Sequence, residues 1–176
     1  MSTHPHQLYA TLFTEADQAR LVGFSCGDAP WSRHVGEWIL GSDVLDSMKR
    51  GTRVWLFETM DGVVVGFGSL GISRRRWPPP NGDYAKVALI PMLGIAEQFH
   101  GRPTDPEWRY SRQIMGHLIG EAKELATAVG GPTWLVLHVH QDNLRAIRFY
   151  GQCGFELIPG VVGSNNHLLM KLWIGE

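Results

Sequence analysis

The chain has little cysteine, no long apolar run and almost no net charge. Each shortage removes a class of protein. Cys26 and Cys153 are the only cysteines in 176 residues. Two thiols do not make a disulfide framework, and they suit a reduced, cytoplasmic protein. No stretch approaches the ~20 apolar residues that cross a bilayer. The opening "MSTHPHQLYATLF" has no basic region followed by an apolar core, so neither a secretory leader nor a membrane partner is expected. Lys and Arg number 16 against 17 Asp and Glu, for a formal net charge of −1. That balance argues against broad binding of nucleic acid. No spaced Cys/His set is present, so no metal site is expected. Internal repeats, heptads and low-complexity segments are absent as well. What is left is a chain of ordinary composition, read as a single domain over residues 1–176.

The pattern along the chain alternates. The first third reads as helical or irregular, with Thr14 as a candidate cap and "WSRHVGEWILGSDVLDSMKRG" as one or two short helices closed by Gly51. "TRVWLFETM" and "GVVVGFGSLGI" read as strands joined at Asp61-Gly62, a hairpin signal. "SRRRWPPPNGDY" reads as a loop because of its prolines and Asn81-Gly82. "AKVALIPMLGIA", 85–96, is apolar on both faces and reads as a central strand. Pro91 and Gly94 within it suggest a bulge, or backbone that something approaches closely.

A strong amphipathic helix follows. Ile114, Leu118, Ala122, Leu125 and Val129 recur at three- and four-residue steps, with Ser111 as a candidate cap and Gly130-Gly131-Pro132 as the stop. Next come the strand "TWLVLHVH", a short helix "NLRAIRFYGQC" capped by Asp142 or Asn143 and closed by Gly154, and the strands "FELI" and "HLLMKLW". The order implies a mixed α/β sheet flanked by helices.

Strand, loop, helix over 91–126 is a layout that can seat phosphate. A helix start offers unpaired N–H groups and a partial positive charge, and Arg109 and Arg112 flank this one. On its own the segment also reads as an ordinary capped helix with solvated arginines.

The run "NLRAIRFYGQCGF" carries more information. Asn143, Ala146, Ile147, Phe149, Tyr150, Gly154 and Phe155 stand at the spacing Asn-x-x-Ala-Ile-x-Phe-Tyr-x-x-x-Gly-Phe. This resembles a motif of the GNAT family of N-acetyltransferases, and the strand–helix order of the last two thirds of the chain is similar to that fold. "FSCGDAPW" is also similar to a stretch of a GNAT subgroup that includes toxin-type acetyltransferases.

The resemblance implies a GNAT acyl-CoA N-acyltransferase fold and transfer of an acetyl group from acetyl-CoA to a primary amine by direct attack. It implies that the pantetheine arm pairs with backbone at Met92, Leu93, Gly94 and Ile95. It implies Tyr150 as the proton donor to the leaving thiolate and Glu97 as a carboxylate base, with His138, His140 or water as other candidates. Asn143 either orients the cofactor or simply caps its helix. The family's glycine-rich pyrophosphate loop is altered here: its glycine positions fall on Gln113 and Met115. Ser111, Arg112 and Gln113 are then the expected phosphate contacts.

Two alternatives stay open. One is a GNAT-fold module that binds CoA or a partner without catalysis. The other is a toxin-type enzyme acting on aminoacyl-tRNA. The acceptor is a small molecule, peptide or protein amine, and a homodimer is compatible with the fold. "SRRRWPPP" is read as a solvated loop, a lining of the acceptor cleft, or a nucleic-acid contact that sets cations beside an aromatic. Cys153 is read as a packing residue rather than a catalytic thiol.

Overall fold

A computed structural model describes residues 4–175. The described residues form eight strands and four α-helices. The strands are β1 (Tyr9–Leu12), β2 (Arg53–Glu58), β3 (Val64–Trp77), β4 (Asp83–Ile90), β5 (Leu93–Ile95), β6 (Trp134–His140), β7 (Glu156–Val162) and β8 (His167–Trp173). The helices are α1 (Pro30–Leu40), α2 (Ser42–Lys49), α3 (Tyr110–Ala126) and α4 (Leu144–Gln152). The strands make one mixed sheet in the order β1-β2-β3-β4-β6-β8-β7, with β5 paired to β3. The mixed α/β class expected from the element order is the one observed. Among the described residues, no helix is long and apolar enough to cross a membrane.

The chain packs as two compact units. The first holds residues up to Ser69 together with Met92–His117; the second holds Leu70–Pro91 and Leu118 onward. In the first unit, Leu21, Ile39, Val44, Leu56 and Phe67 form a core, 0–1% exposed. Trp38 stacks on Phe67, ring centroids 5.9 Å apart. In the second, Val87, Val136 and Leu169 pack with Trp77, Leu89 and Trp134. Helical Leu21, Ile39 and Val44 close the first core over the strand residues Val54, Leu56 and Phe67, whereas the second draws on alternate strand positions such as Val87 and Leu89.

Several expectations hold. The two short helices end before Gly51, which takes a positive φ of 97°. β2 and β3 follow one another through the Asp61-Gly62 turn, closed by Gly62 N–H to the Thr59 carbonyl (2.9 Å). Asn143 caps α4, its Oδ1 accepting from Ala146 N–H at 3.2 Å, and Gly154 lies past the end at φ 94°.

Others need correction. Tyr9–Leu12, read as part of a helical region, is an edge strand that pairs with β2. All of its residues are exposed, so no apolar alternation marks it. The segment after Thr14 is a 3-10 helix with a capping box to Asp17. The proline-rich loop is shorter than expected: β3 runs on to Trp77 and β4 begins at Asp83, so the arginines lie inside a ribbon. α3 starts one residue before Ser111, which therefore does not cap it. Val129 lies beyond the helix end, fully exposed.

The strand read over 85–96 is divided. β4 pairs in parallel with β6 as far as Ile90↔Leu137. Pro91 has no N–H with which to continue a ladder. After it, β5 pairs with a different strand segment, Gly66 to Gly68 of β3.

Candidate active site

β5 is short, and its hydrogen bonds decide which backbone groups remain available. Ala96 N–H donates to the Val65 carbonyl at 2.9 Å, and Ser69 N–H to the Met92 carbonyl at 3.0 Å. These bonds fix 65/96, 67/94 and 69/92 as the hydrogen-bonded pairs of an antiparallel ladder. Met92 and Gly94 therefore address β3. Leu93 and Ile95 turn their N–H and C=O groups to the opposite edge, where no strand pairs with them among the described residues.

That edge is open at one residue and closed at the other. Ile95 N–H hydrogen-bonds the Cys26 sulfur, and its carbonyl accepts from His100 Nε2 at 2.9 Å. No partner takes the outward N–H and C=O of Leu93 among the described residues.

Three devices hold the segment in place. Ser69, 0% exposed, grips Met92: its Oγ donates to the Met92 carbonyl (2.8 Å) and accepts from the Met92 N–H (2.9 Å). This side chain supplies an acceptor where regular pairing lapses after Pro91. Gly94 is required sterically, since a Cβ there would stand 2.7–2.8 Å from Phe67, Cys26 and Val35 side chains. The third is the Ser25–Gly27 stretch, whose Ser25 carbonyl accepts from Glu97 N–H at 2.9 Å. Burial pushes the Cys26 thiol up to about 12, and the Ile95 N–H acts in the opposite direction. Cys26 is thus a packed hydrogen-bonding group rather than a nucleophile.

Glu97 is exposed at the end of β5, and its carboxylate lies beside Gly27, whose φ is 108°. An open cleft of about 310 Å³ adjoins it, lined by Val22, Phe24, Val63, Val64, Ala96 and Gln98 among others.

At the start of α3 the backbone is partly committed. Tyr110 N–H donates to the Arg102 carbonyl, and the N–H groups of Arg112 and Gln113 both go to the Arg109 carbonyl. The Gln113 carboxamide is fully engaged. It accepts from Leu8 N–H (2.8 Å) and donates to the carbonyls of His6 (2.8 Å) and Trp108 (2.7 Å). Ser111 is partly buried and Arg112 exposed. Arg109 Nη2 donates to the Thr104 carbonyl at 3.3 Å, while its Nε is buried with no protein partner among the described residues.

In the second unit, Tyr150 sits on α4, with its ring 6.1 Å from that of Phe155. The residue keeps some surface, but its phenol is enclosed: burial, and secondarily Cys153, pushes its pKa up to about 12. At neutral pH it stays protonated, so it has a proton to give. The β6 histidines have separate surroundings. His138 Nε2 lies 3.3 Å from Arg75 Nη1, and burial first, then Arg75 and His167, holds its pKa below the ordinary imidazole value. His140 Nδ1 accepts from Asp142 N–H at 3.2 Å. Among the described residues no cluster of His, Cys, Asp or Glu could hold a metal ion.

The model of the acetyltransferase (GNAT) family matches residues 31–155. The chain belongs to this family. It is accordingly an acetyl-CoA-dependent acetyltransferase. Solved structures with a similar fold include a bacterial toxin, 16% identical with a TM-score of 0.70, which covers 96% of this chain and 91% of its own. A tyrosine-to-phenylalanine variant of the toxin AtaT, bound to the C-terminus of the antitoxin AtaR and acetyl-CoA, is 19% identical with a TM-score of 0.66 (95% and 93% covered). AtaT complexed with acetyl-methionyl-tRNAfMet is 21% identical with a TM-score of 0.63 (93% and 94% covered). At these identities the likeness concerns the GNAT fold. No curated protein sequence matches the chain.

The sequence pointed to the β5 segment, Glu97, Tyr150 and the start of α3 as candidates. Sequence reasoning missed Ser69, the Cys26 and His100 contacts to Ile95, and the Val22–Val63 cleft. A lone serine inside an apolar run, "GFGSLGI", was the available signal for the first. The others depend on contacts distant in sequence.

Proposed function

We propose that the pantetheine arm of acetyl-CoA pairs with the open edge of β5 at Leu93, and that an acceptor amine enters by the Val22–Val63 cleft. The observation that carries this reading is the single open residue on an otherwise satisfied edge. Leu93 offers one N–H and one C=O, held in place from behind by Ser69 and Gly94. An extended amide chain pairs with such an edge as a strand would. The Leu93 C=O accepts from an amide of that chain, which leaves its N–H beside the thioester carbonyl to stabilise the oxyanion of the tetrahedral intermediate.

The start of α3 is proposed to hold the pyrophosphate through Ser111 and Arg112. The orphaned Arg109 Nε supports an anion there. Gln113 belongs to this seat by position only, because its carboxamide is spent on residues 6, 8 and 108. Tyr150 protonates the departing CoA thiolate. Glu97 accepts the amine proton, directly or through water. Asn143 acts by capping α4. Residues 1–176 are proposed to work as one catalytic domain, in the reducing cytoplasm that free Cys26 and Cys153 suit.

The test is calorimetry with acetyl-CoA, followed by thiol release against amines, peptides and aminoacyl-tRNA. Tyr150→Phe is expected to lower kcat by about 10²-fold or more while leaving acetyl-CoA affinity within about twofold. An unchanged kcat removes Tyr150 from the acid role. Absence of acetyl-CoA binding overturns the cofactor assignment. Aminoacyl-tRNA is a second acceptor reading, favoured by the cations gathered on the β3–β4 ribbon.

A further inference from the structure

The ribbon of β3 and β4 sorts its side chains by register. Cross-strand partners Ile72↔Ala88, Arg74↔Lys86 and Arg76↔Tyr84 share one face; Ser73↔Val87, Arg75↔Ala85 and Trp77↔Asp83 share the other. The second face is anchored. Trp77 packs 5.6 Å from Trp134, which in turn meets Trp173 at 4.9 Å, and Val87 is 0% exposed. The first face turns outward toward the tip: Arg74, Arg76 and Lys86 are all exposed, and Tyr84 is 65% exposed.

No acidic residue lies on that outward face, since Asp83 stands opposite Trp77 on the other one. Among the described residues, no carboxylate pairs with Arg74, Arg76 or Lys86. Arg76 lies over the Tyr84 ring at 5.0 Å and donates to the Gly82 carbonyl at 3.3 Å, which braces both side chains. In a chain of net charge −1, three cations and an aromatic therefore share one braced, unneutralised face.

We propose that this face binds single-stranded RNA, with Arg74, Arg76 and Lys86 on successive phosphates and Tyr84 stacking on a base. The charge explains attraction to a polyanion. The aromatic beside it favours a nucleic acid over an anionic lipid surface, which has no flat ring to stack, and over a phosphopeptide, because in a nucleic acid every phosphate comes with a base. The face would dock an RNA-borne acceptor. Its function in that sense rests on the acetyltransferase reading, although binding itself does not require acetyl-CoA.

Fluorescence anisotropy tests this on the full chain, with a labelled single-stranded 12-nucleotide RNA and with unacylated bulk tRNA, across a salt series. Wild type is expected to bind both, with log K falling linearly with log salt. The combined variant Arg74→Ser, Arg76→Ser, Lys86→Ser is expected to bind at least about tenfold more weakly and to lower the slope by about 2, the amount three lost single-strand phosphate contacts predict. Tyr84→Ala is expected to weaken binding with the slope unchanged. Acetyl-CoA affinity and acetylation of any small amine should stay at wild-type levels in both variants. The proposal is overturned if wild type binds neither RNA, if the combined variant keeps affinity and slope, or if vesicles of phosphatidylserine and phosphatidylcholine bind as tightly as RNA. Loss of acetyl-CoA binding by wild type would instead sink the cofactor assignment, and the RNA measurement would still be read independently.

Discussion

β4 and β5 are halves of one apolar run with opposite outcomes. β4 pairs with β3 over Asp83–Leu89 and with β6 over Ala88–Ile90, so at Ala88 and Leu89, just before the break, it is paired on both sides. β5 is paired on one side only. The residues are alike in character; Pro91 separates them. A central strand is thus converted into a half-edge whose Leu93 and Ile95 are only partly exposed, while Ser69 and Gly94 secure the inner side. Available backbone here is made by withholding a partner, not by adding a special side chain.

The sharpest way to break the contrast is to remove the outward N–H alone. Leu93→Pro deletes a group that β3 does not use. The rate of acetyl transfer is expected to fall about 10²-fold or more, whereas Leu93→Ala keeps the N–H and most of the rate. Equal rates in the two variants, with folding verified by circular dichroism, would show that the Leu93 backbone is not the donor.

Next in size is Gly94→Val, which forces side-chain carbons against Phe67, Cys26 and Val35. It is expected to cost about 1–3 kcal/mol in urea unfolding and to reduce acetyl-CoA affinity measurably. Unchanged stability would mean that the inner side of β5 yields easily. Ser69→Ala follows: Met92 loses its side-chain partner, with an expected loss of about 1–3 kcal/mol. Because the grip lies directly after Pro91, acetyl-CoA affinity should fall as well, and a stability change without it would separate the two roles.

The smallest effect concerns pH. Cys26 carries a folded-state pKa raised from 9.0 to about 12, and Tyr150 one raised from 10.0 to about 12. Above about pH 9 the unfolded chain loses these protons while the folded chain keeps them, so each group favours unfolding progressively from its unfolded pKa up to about 12. Stability contributed by the neutral forms is fully present below pH 9. Cys26→Ala is expected to flatten the fall between pH 9 and 10, measured by denaturant midpoints, relative to wild type. An identical slope would mean that the thiol titrates as an ordinary exposed one.

The elements that could be read in advance owed their shape to local chemistry. α4 announced itself through Asn143 and Gly154, and α3 through Ile114, Leu118 and Ala122. The turn at Asp61-Gly62 was equally local. Elements shaped by distant partners could not be read. β1 is exposed along its whole length and exists because β2 offers an edge. The arginine-rich ribbon looked like loop because its prolines sit at the tip, while the pairing that orders it lies before and after them. The site divided in the same way. Leu93, Tyr150 and Glu97 are candidates that the resemblance alone suggested. That Ile95 is closed and Leu93 open depends on Cys26, about seventy positions upstream, and on which carbonyls Ala96 and Ser69 face.

Gln113 carries a practical consequence. Its carboxamide joins backbone at His6 and Leu8, 107 and 105 positions away, to the first turn of α3, and His4 stacks on Trp108 at 3.6 Å beside it. Whatever is fused or trimmed near residues 4–8 is therefore also an edit to the helix start proposed to seat the phosphates. An affinity tag placed there would be one more ligand competing for the same few ångströms, so comparisons of cofactor affinity should be made on protein handled from its other end.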